Sequence, residues 1–326
     1  MKLKKLNLYT IAIWLLSMTF ISCNDEWKDE QYVKFVSFVR SGYTETYLNT
    51  NTVDGKVHYK IPIEVSGSTI NDKNVVVNVQ LDNDTLTAHN RTMFYNRNDL
   101  FFLLLDEDYY SFPNGTEVTI PAGKNIGYLD VIFDIKGLDL VEKYILPLTI
   151  TSTSEYYPAN KKHYKKTLMR IIPFNYFSGS YSAGAGSITA ENNPTPTSVA
   201  TREMRYVNDS TVFFYAGLCE EDARDRATYK VKAKFNDDKT LTFTADSAKI
   251  EFTPAAGKCT WSVKEEMDAL QPYLVIRTVT MEIQYSYKDV TNPNYTVKYN
   301  LKGSYTLERR RNTQVPEEDQ QEIFEW

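Results

Sequence analysis

The sequence predicts an all-β protein of two domains, a β-sandwich followed by a closed antiparallel barrel. Three observations carry that prediction. Val, Ile, Thr, Tyr and Phe recur in short runs of alternating polarity, and tyrosine alone contributes 24 residues, the usage of half-buried strands. The 326 residues exceed one ordinary domain of about 100–200 residues. The first half shows strands broken by turns and one irregular excursion, whereas the second reads as a continuous meander.

The chain opens with a segment that belongs to neither domain. Lys2, Lys4 and Lys5 precede an almost wholly apolar run from Tyr9 to Leu16, and small or polar residues return before Cys23. This is the layout of a secretory signal peptide over residues 1–22. Its apolar run is too short for a bilayer core, which needs roughly 20 apolar residues. Ser22-Cys23, followed by the acidic Asn24 to Glu30, resembles the export signal of Bacteroidetes lipoproteins. The resemblance implies that Cys23 is lipidated as the mature N-terminus, and that the protein is an outer-membrane lipoprotein exposed at the cell surface. Residues 23–30 then form an acidic tether, and the lipid is the sole membrane contact. Ordinary cleavage near Ser22, leaving Cys23 free, is the alternative.

Charge narrows the partners. Without the three leader lysines, 34 basic residues face 42 acidic ones, which disfavours nucleic acid, since phosphate backbones demand clustered Lys and Arg. With Cys23 lipidated, Cys219 and Cys259 remain, and an exported chain can join such a pair as a disulfide.

Residues 31–173 form the predicted sandwich. Tyr32 to Val39 reads as a strand and Gly42 to Gly55 as a long polar turn. Val57, Tyr59, Ile61, Ile63 and Val65 alternate with polar residues, and Pro62 hints at an edge. Val75, Val77, Val79 and Leu81 repeat the pattern before an Asp82-Asn83-Asp84 turn. Leu86 to Leu105 breaks the period of two and is read as a helix or an irregular excursion. Strands resume at Glu117 to Ile120, Gly127 to Phe133, Tyr144 to Thr151 and Lys166 to Ile172, the spacing of an immunoglobulin-type sandwich.

Leu105 to Ser111, Val118 to Gly123 and Tyr144 to Ile150 resemble the N-terminal domain of a Bacteroidetes surface lipoprotein family of unknown-function domains. That family is associated with SusC/SusD-type glycan utilisation loci. The resemblance implies a glycan ligand and a SusC/SusD-type importer complex as partners. Read as residues alone, Pro121-Ala122-Gly123 is a turn, Pro147 belongs on an edge or bulge, and at least one of Tyr109 and Tyr110 is core.

Residues 174–312 form the predicted barrel, with little room for a linker before it. Gly184, Gly186 and Asn192 to Thr197 read as a soft loop. Strands follow at Ser210 to Leu218, Thr228 to Phe235, Thr240 to Ala245, Lys249 to Phe252, Cys259 to Val263, Tyr273 to Tyr287 and Tyr295 to Leu307. In the last, Val297, Tyr299, Leu301, Gly303, Tyr305 and Leu307 share the core face. Consecutive antiparallel strands with short turns favour an up-and-down barrel. Gly179-Ser180-Tyr181 and Arg309 resemble the lipocalin pairing of a first-strand aromatic with a late arginine, and imply a lipocalin-like antiparallel β-barrel. Residues 313–326 are an acidic tail ending in Phe324 and Trp326, which are expected to dock on the barrel.

No catalytic signature emerges. His58, His89 and His163 lack a second ligand at metal spacing, and HExxH, GxSxG and phosphate-cradling loops are missing. Neither an enzyme nor a metal or other cofactor is expected. Asp82, Asp84, Asp106 and Asp108, like Glu220, Glu221 and Asp222, read as turn acids. For sugar binding, which needs aromatic faces and polar groups, the candidates are Trp261, Tyr273 and Arg277. Arg277 lies among apolar neighbours, either bulged outward or aimed into a barrel cavity. Thr85, Ser210 and Ser247 resemble Bacteroidetes O-glycosylation acceptors. The expectation is a non-catalytic surface lipoprotein that binds a polysaccharide or oligosaccharide and presents it to an outer-membrane importer. The alternative is a structural or adhesive lipoprotein that contacts a partner protein without binding glycan.

Overall fold

The computed structural model describes residues 29–52 and 55–315. The leader, Cys23, most of the tether, and the tail with Phe324 and Trp326 lie outside the described residues. Among the described residues the fold is all-β with one α-helix.

Eleven strands build the first domain: β1 Phe35–Phe38, β2 Gly42–Asn49, β3 Val57–Val65, β4 Val75–Leu81, β5 Leu103–Leu104, β6 Tyr110–Ser111, β7 Glu117–Ile120, β8 Ile126–Phe133, β9 Tyr144–Thr153, β10 Tyr157–Pro158 and β11 Lys166–Phe174. One sheet runs β10-β1-β3-β8-β6, and the other runs β2-β11-β9-β4-β7 with β5 beside β9. Phe38, Ile61, Ile63, Leu129, Val131 and Phe133 from the first sheet meet Val75, Val77, Val79, Leu148 and Ile150 from the second, all buried. Each such burial stabilises by about 1.5–3 kcal/mol. Tyr110 is buried in this core and Tyr109 packs against it, as the pair predicts.

The Leu86 to Leu105 excursion begins as a helix, α1, Asn83–Phe94. Asp82 caps it by accepting from the Thr85 amide at 3.0 Å, which satisfies a free N–H of the first turn. Pro62, read as an edge residue, and Pro147, read as an edge or bulge residue, both lie in central strands, β3 and β9. In an antiparallel ladder a residue's N–H and C=O face the same neighbour. Pro62 O accepts from Val39 and Pro147 O accepts from Asp82, each one residue past the end of that neighbouring strand. The missing N–H therefore falls where pairing has already stopped.

The second domain comprises β12 Gly179–Ala183, β13 Ser187–Ala190, β14 Asn193–Ser198, β15 Thr201–Asn208, β16 Thr211–Tyr215, β17 Lys230–Phe235, β18 Leu241–Ala245, β19 Thr253–Pro254, β20 Thr260–Met267, β21 Leu274–Asp289 and β22 Val297–Asn312. Pairing runs β12-β15-β16-β17-β18, crosses to β20 through a Thr240–Thr260 bridge, continues through β21 and β22, and returns to β12 at Ser182–Thr306. The circuit closes as an antiparallel barrel. The stretch read as a soft loop is instead the β13–β14 hairpin laid along β22. The segment Lys249 to Phe252 is a 3-10 turn, Ala248–Ile250, rather than a strand.

Strand β15 escapes the sequence reading. Arg202, Met204 and Tyr206 alternate inward, and the charge at Arg202 masks the apolar period. Its guanidinium is buried and donates to the carbonyls of Tyr215 and Gly217, which lets a cation sit on the inner face.

The barrel is filled rather than hollow, so it offers no lipocalin-like calyx. Tyr181, Tyr285, Tyr287, Tyr305 and Phe214 occupy the interior, each at most 2% exposed. Gly217 lets them pack: its φ is +66°, and a Cβ there would lie 1.6 Å from the Tyr287 hydroxyl oxygen.

No linker separates the domains. Buried Arg226 reaches back to the Val141 carbonyl at 3.3 Å, the Asp99 carbonyl at 2.9 Å and the Glu142 carboxylate at 3.0 Å. Lys230 pairs with Asp139 at 2.8 Å. Glu221 bonds both Lys143 and Arg205; burial works to raise its carboxyl, but these two cations outweigh it and hold the pKa below its usual value.

Candidate functional site

The site grows from the length of the last two strands. Strands β21 and β22 run 16 residues each, about 54 Å at 3.4 Å per residue, longer than the barrel wall. Their ends project past the barrel together with β20. Register sets Glu265 opposite Arg277, and Arg277 opposite Arg309. The alternation that buries Val279, Met281 and Ile283 carries Arg277 onto the same face.

Arg309 closes the bottom of the barrel. It donates to the carbonyls of Asn175, at 2.6 Å, and Ser178, and lies 5.3 Å from the Phe174 ring centre. Fully buried Tyr181 donates to the Phe177 carbonyl at 2.8 Å and interacts electrostatically with Arg309. The lipocalin-type partners thus come together, with tyrosine as the aromatic. Burial first, and Arg277 as a neighbouring cation, pull Arg309 down to about 10 against the opposing Tyr181 phenol.

Arg277 is drawn into the gap between the domains. It donates to the Tyr176 carbonyl at 3.0 Å, pairs with Glu265 at 3.3 Å, and stacks 4.7 Å from the Tyr176 ring centre. Burial lowers its pKa, opposed by Glu265. Beside it opens a cleft of about 280 Å³ lined by Asn49 and Asn51 from the sandwich, Tyr176 from the junction, and Arg277, Arg309 and Arg311 from the barrel. Asn49 accepts from the Asn51 amide side chain at 2.9 Å, while Tyr176 is 47% exposed. Amides, guanidiniums, a carboxylate and an aromatic ring therefore converge on one concave surface.

Among the sequence candidates, Arg277 alone lines this cleft. Trp261 is half-buried against Phe177 and Phe235, donates to the Asn236 carbonyl at 2.9 Å and is covered by Lys239 at 3.7 Å. Its ring packs on these neighbours away from the cleft. Tyr273 stands just before β21, 38% exposed, with its carbonyl accepting from Thr313. Sequence reading missed Asn49, Asn51, Tyr176 and Arg311. The one available signal was the Arg309-Arg310-Arg311 run at the end of a strand in an acidic chain.

Cys219 and Cys259 are free thiols, so the disulfide that the sequence left open does not form. Cys259 is directed at the Gln284 and Ala255 carbonyls, and Cys219 at the Glu220 carbonyl. Thr85 gives its hydroxyl to Asp82 at 2.7 Å and accepts from Lys166, whereas Ser210 and Ser247 stand half-buried at turns. Asp106 is a turn acid, accepting from the Asp108 amide at 3.0 Å. His89 stacks with Tyr43 and Phe102, which also stack with each other, and burial lowers its pKa. Among the described residues, no group of three or more His, Cys, Asp or Glu converges to hold a metal, and no helix is long and apolar enough to cross a membrane.

A sandwich, a filled barrel and a cleft between them define the class: two-domain β proteins of the Bacteroides unknown-function families. The model for the domain of unknown function DUF4973 matches residues 27–154, and a C-terminal domain model matches residues 165–306. A Bacteroides ovatus protein of unknown function is 37% identical over 90% of this chain and 100% of its own, with TM-score 0.79. A Bacteroides ovatus multidomain protein that includes DUF1735 is 35% identical over 90% and 100%, with TM-score 0.78. An auxiliary nutrient binding protein from Bacteroides thetaiotaomicron is 30% identical over 87% and 96%, with TM-score 0.76. The chain belongs to the family of these Bacteroides proteins. No curated protein matches it.

Proposed function

We propose that this protein is a non-catalytic lipoprotein, anchored in the outer membrane through Cys23 and exposed at the cell surface, that binds a polysaccharide or oligosaccharide in the interdomain cleft. It presents that glycan to an importer of the SusC/SusD type. The cleft carries the reading: Asn49 and Asn51 suit hydroxyls, the exposed face of Tyr176 suits sugar C–H groups, and the arginines add directional donors. Similarity over most of the chain to an auxiliary nutrient binding protein supports it.

Affinity electrophoresis of the chain from Asn24 onward, in gels cast with a polysaccharide panel, tests binding. Retardation that Tyr176→Ala and Asn51→Ala both weaken supports the cleft. Reducing-sugar release from the same panel would replace the reading with an enzyme. Fatty-acid labelling lost in Cys23→Ala, and protease accessibility on intact cells, test the anchor and its exposure.

A second reading rests on the β20–β21 hairpin, where Val263 is 38%, Met267 70% and Leu270 92% exposed. An apolar tip of this kind suits a partner protein, as in a structural or adhesive lipoprotein. Retardation by no polysaccharide at all would favour it.

A further inference from the structure

We propose that the interdomain cleft selects an anionic oligosaccharide, one carrying carboxylates or sulfates, through Arg277 and Arg311 with Arg309 behind them. The inference rests on the glycan reading of the cleft and narrows the ligand class. Four arginines line the cleft against the single carboxylate of Glu265, in a chain whose acids outnumber its lysines and arginines by 42 to 37. Local acids offset two of them: Glu265 lies 3.3 Å from Arg277 and Glu308 lies 3.2 Å from Arg310. Arg311 enters no ion pair among the described residues and lies two residues beyond Arg309 on the same strand face. The cleft therefore carries an excess of positive charge.

Register compounds the excess. Arg277 and Arg309 are directly opposed across the β21–β22 ladder, and like charges so placed repel. Both are largely withdrawn from water, which strengthens the repulsion. A carboxylate or sulfate in the cleft relieves it and accepts paired N–H bonds from a guanidinium fork. Asn49 and Asn51, on the opposite wall, are left for hydroxyls. The same wall bearing lysines would hold an anion by charge alone, without that geometry.

The chain from Asn24 onward retains every described residue and is run through gels containing polygalacturonate or its neutral methyl ester, and dextran sulfate or plain dextran. Retardation by a charged polymer and not by its neutral counterpart is the expected result, and the two pairs distinguish carboxylate from sulfate. Arg311→Gln, at an exposed position that leaves the fold intact, weakens retardation about tenfold, as does Arg277→Gln. Lys298→Gln removes the same charge near the far end of β22 and leaves retardation unchanged. Neutral polymers retarding as strongly as charged ones overturns the anionic class while the glycan reading stands. Equal losses in Lys298→Gln and Arg311→Gln overturn it in favour of diffuse attraction. No retardation in any of these gels overturns the anionic class, and no retardation across the whole polysaccharide panel overturns the glycan reading as well.

Discussion

Replacing Arg226 with methionine should uncouple the two domains. Its side chain is 8% exposed and donates to a carboxylate and to two carbonyls of the sandwich. Methionine keeps much of the volume but strands the Asp99 and Val141 carbonyls and leaves Glu142 without its cation. Removing one member of a buried ion pair costs about 3–5 kcal/mol. Glu142 is 38% exposed and regains water, so the low end, about 3 kcal/mol, applies. At roughly 2–4 °C per kcal/mol for a domain of this size, the midpoint falls by about 6–12 °C. Differential scanning calorimetry should show that fall, with the single transition splitting into separate sandwich and barrel transitions, and Arg226→Lys should fall between. A variant that melts as one unit within about 1 °C of the parent refutes the claim that this arginine holds the domains together.

Gly217→Ala should cost at least about 3 kcal/mol, since overpacking alone costs about 1–3 kcal/mol and the positive φ adds strain; urea unfolding measures it, and a neutral result sinks the packing account. Burial raises the Tyr215 and Tyr285 phenols to about 12, against about 10 when unfolded. Their contribution is therefore complete below pH ~10 and is lost as pH rises toward 12, so phenolate absorbance should lag and then appear together with loss of the barrel's circular dichroism. Burial likewise raises both thiols, Cys219 to about 12; both should react slowly with a thiol reagent at pH 8 in the native chain from Asn24 onward and freely once unfolded without reductant. Failure to react after unfolding would mean a disulfide. Glu30 accepts from the Ser68 and Thr69 amides at 2.8 and 3.0 Å, which holds its carboxyl well below the usual range. Glu30→Gln should speed hydrogen exchange at those two amides, and unchanged exchange would show that the contact orders nothing.

What could be read in advance follows the period of the pattern. A strand with one wet face writes itself as alternation, and Val297 to Leu307 was legible to the residue. Alternation fails where the inner face is not apolar, as at Arg202 in β15. It also fails where a proline is harmless because the adjoining strand has ended, as at Pro62 and Pro147. The cleft was nearly invisible for a different reason. Asn49 and Arg311 are 262 positions apart, and neither residue type marks a site by itself. Trp261 drew attention as the sole tryptophan in the body of the chain, yet a large ring at a barrel's closed end is more easily packed than presented.

The sequence by itself determined the β architecture, the division into two halves and the apolar face of the final strand, because each follows from the short-range alternation of side chains. The tertiary structure decided that the barrel interior is solid, that its cysteines stay apart, and that a cluster of arginines faces the sandwich across a cleft. Those outcomes depend on which distant strand ends meet and how much volume the inward tyrosines fill. Neither quantity is written in any local stretch of residues.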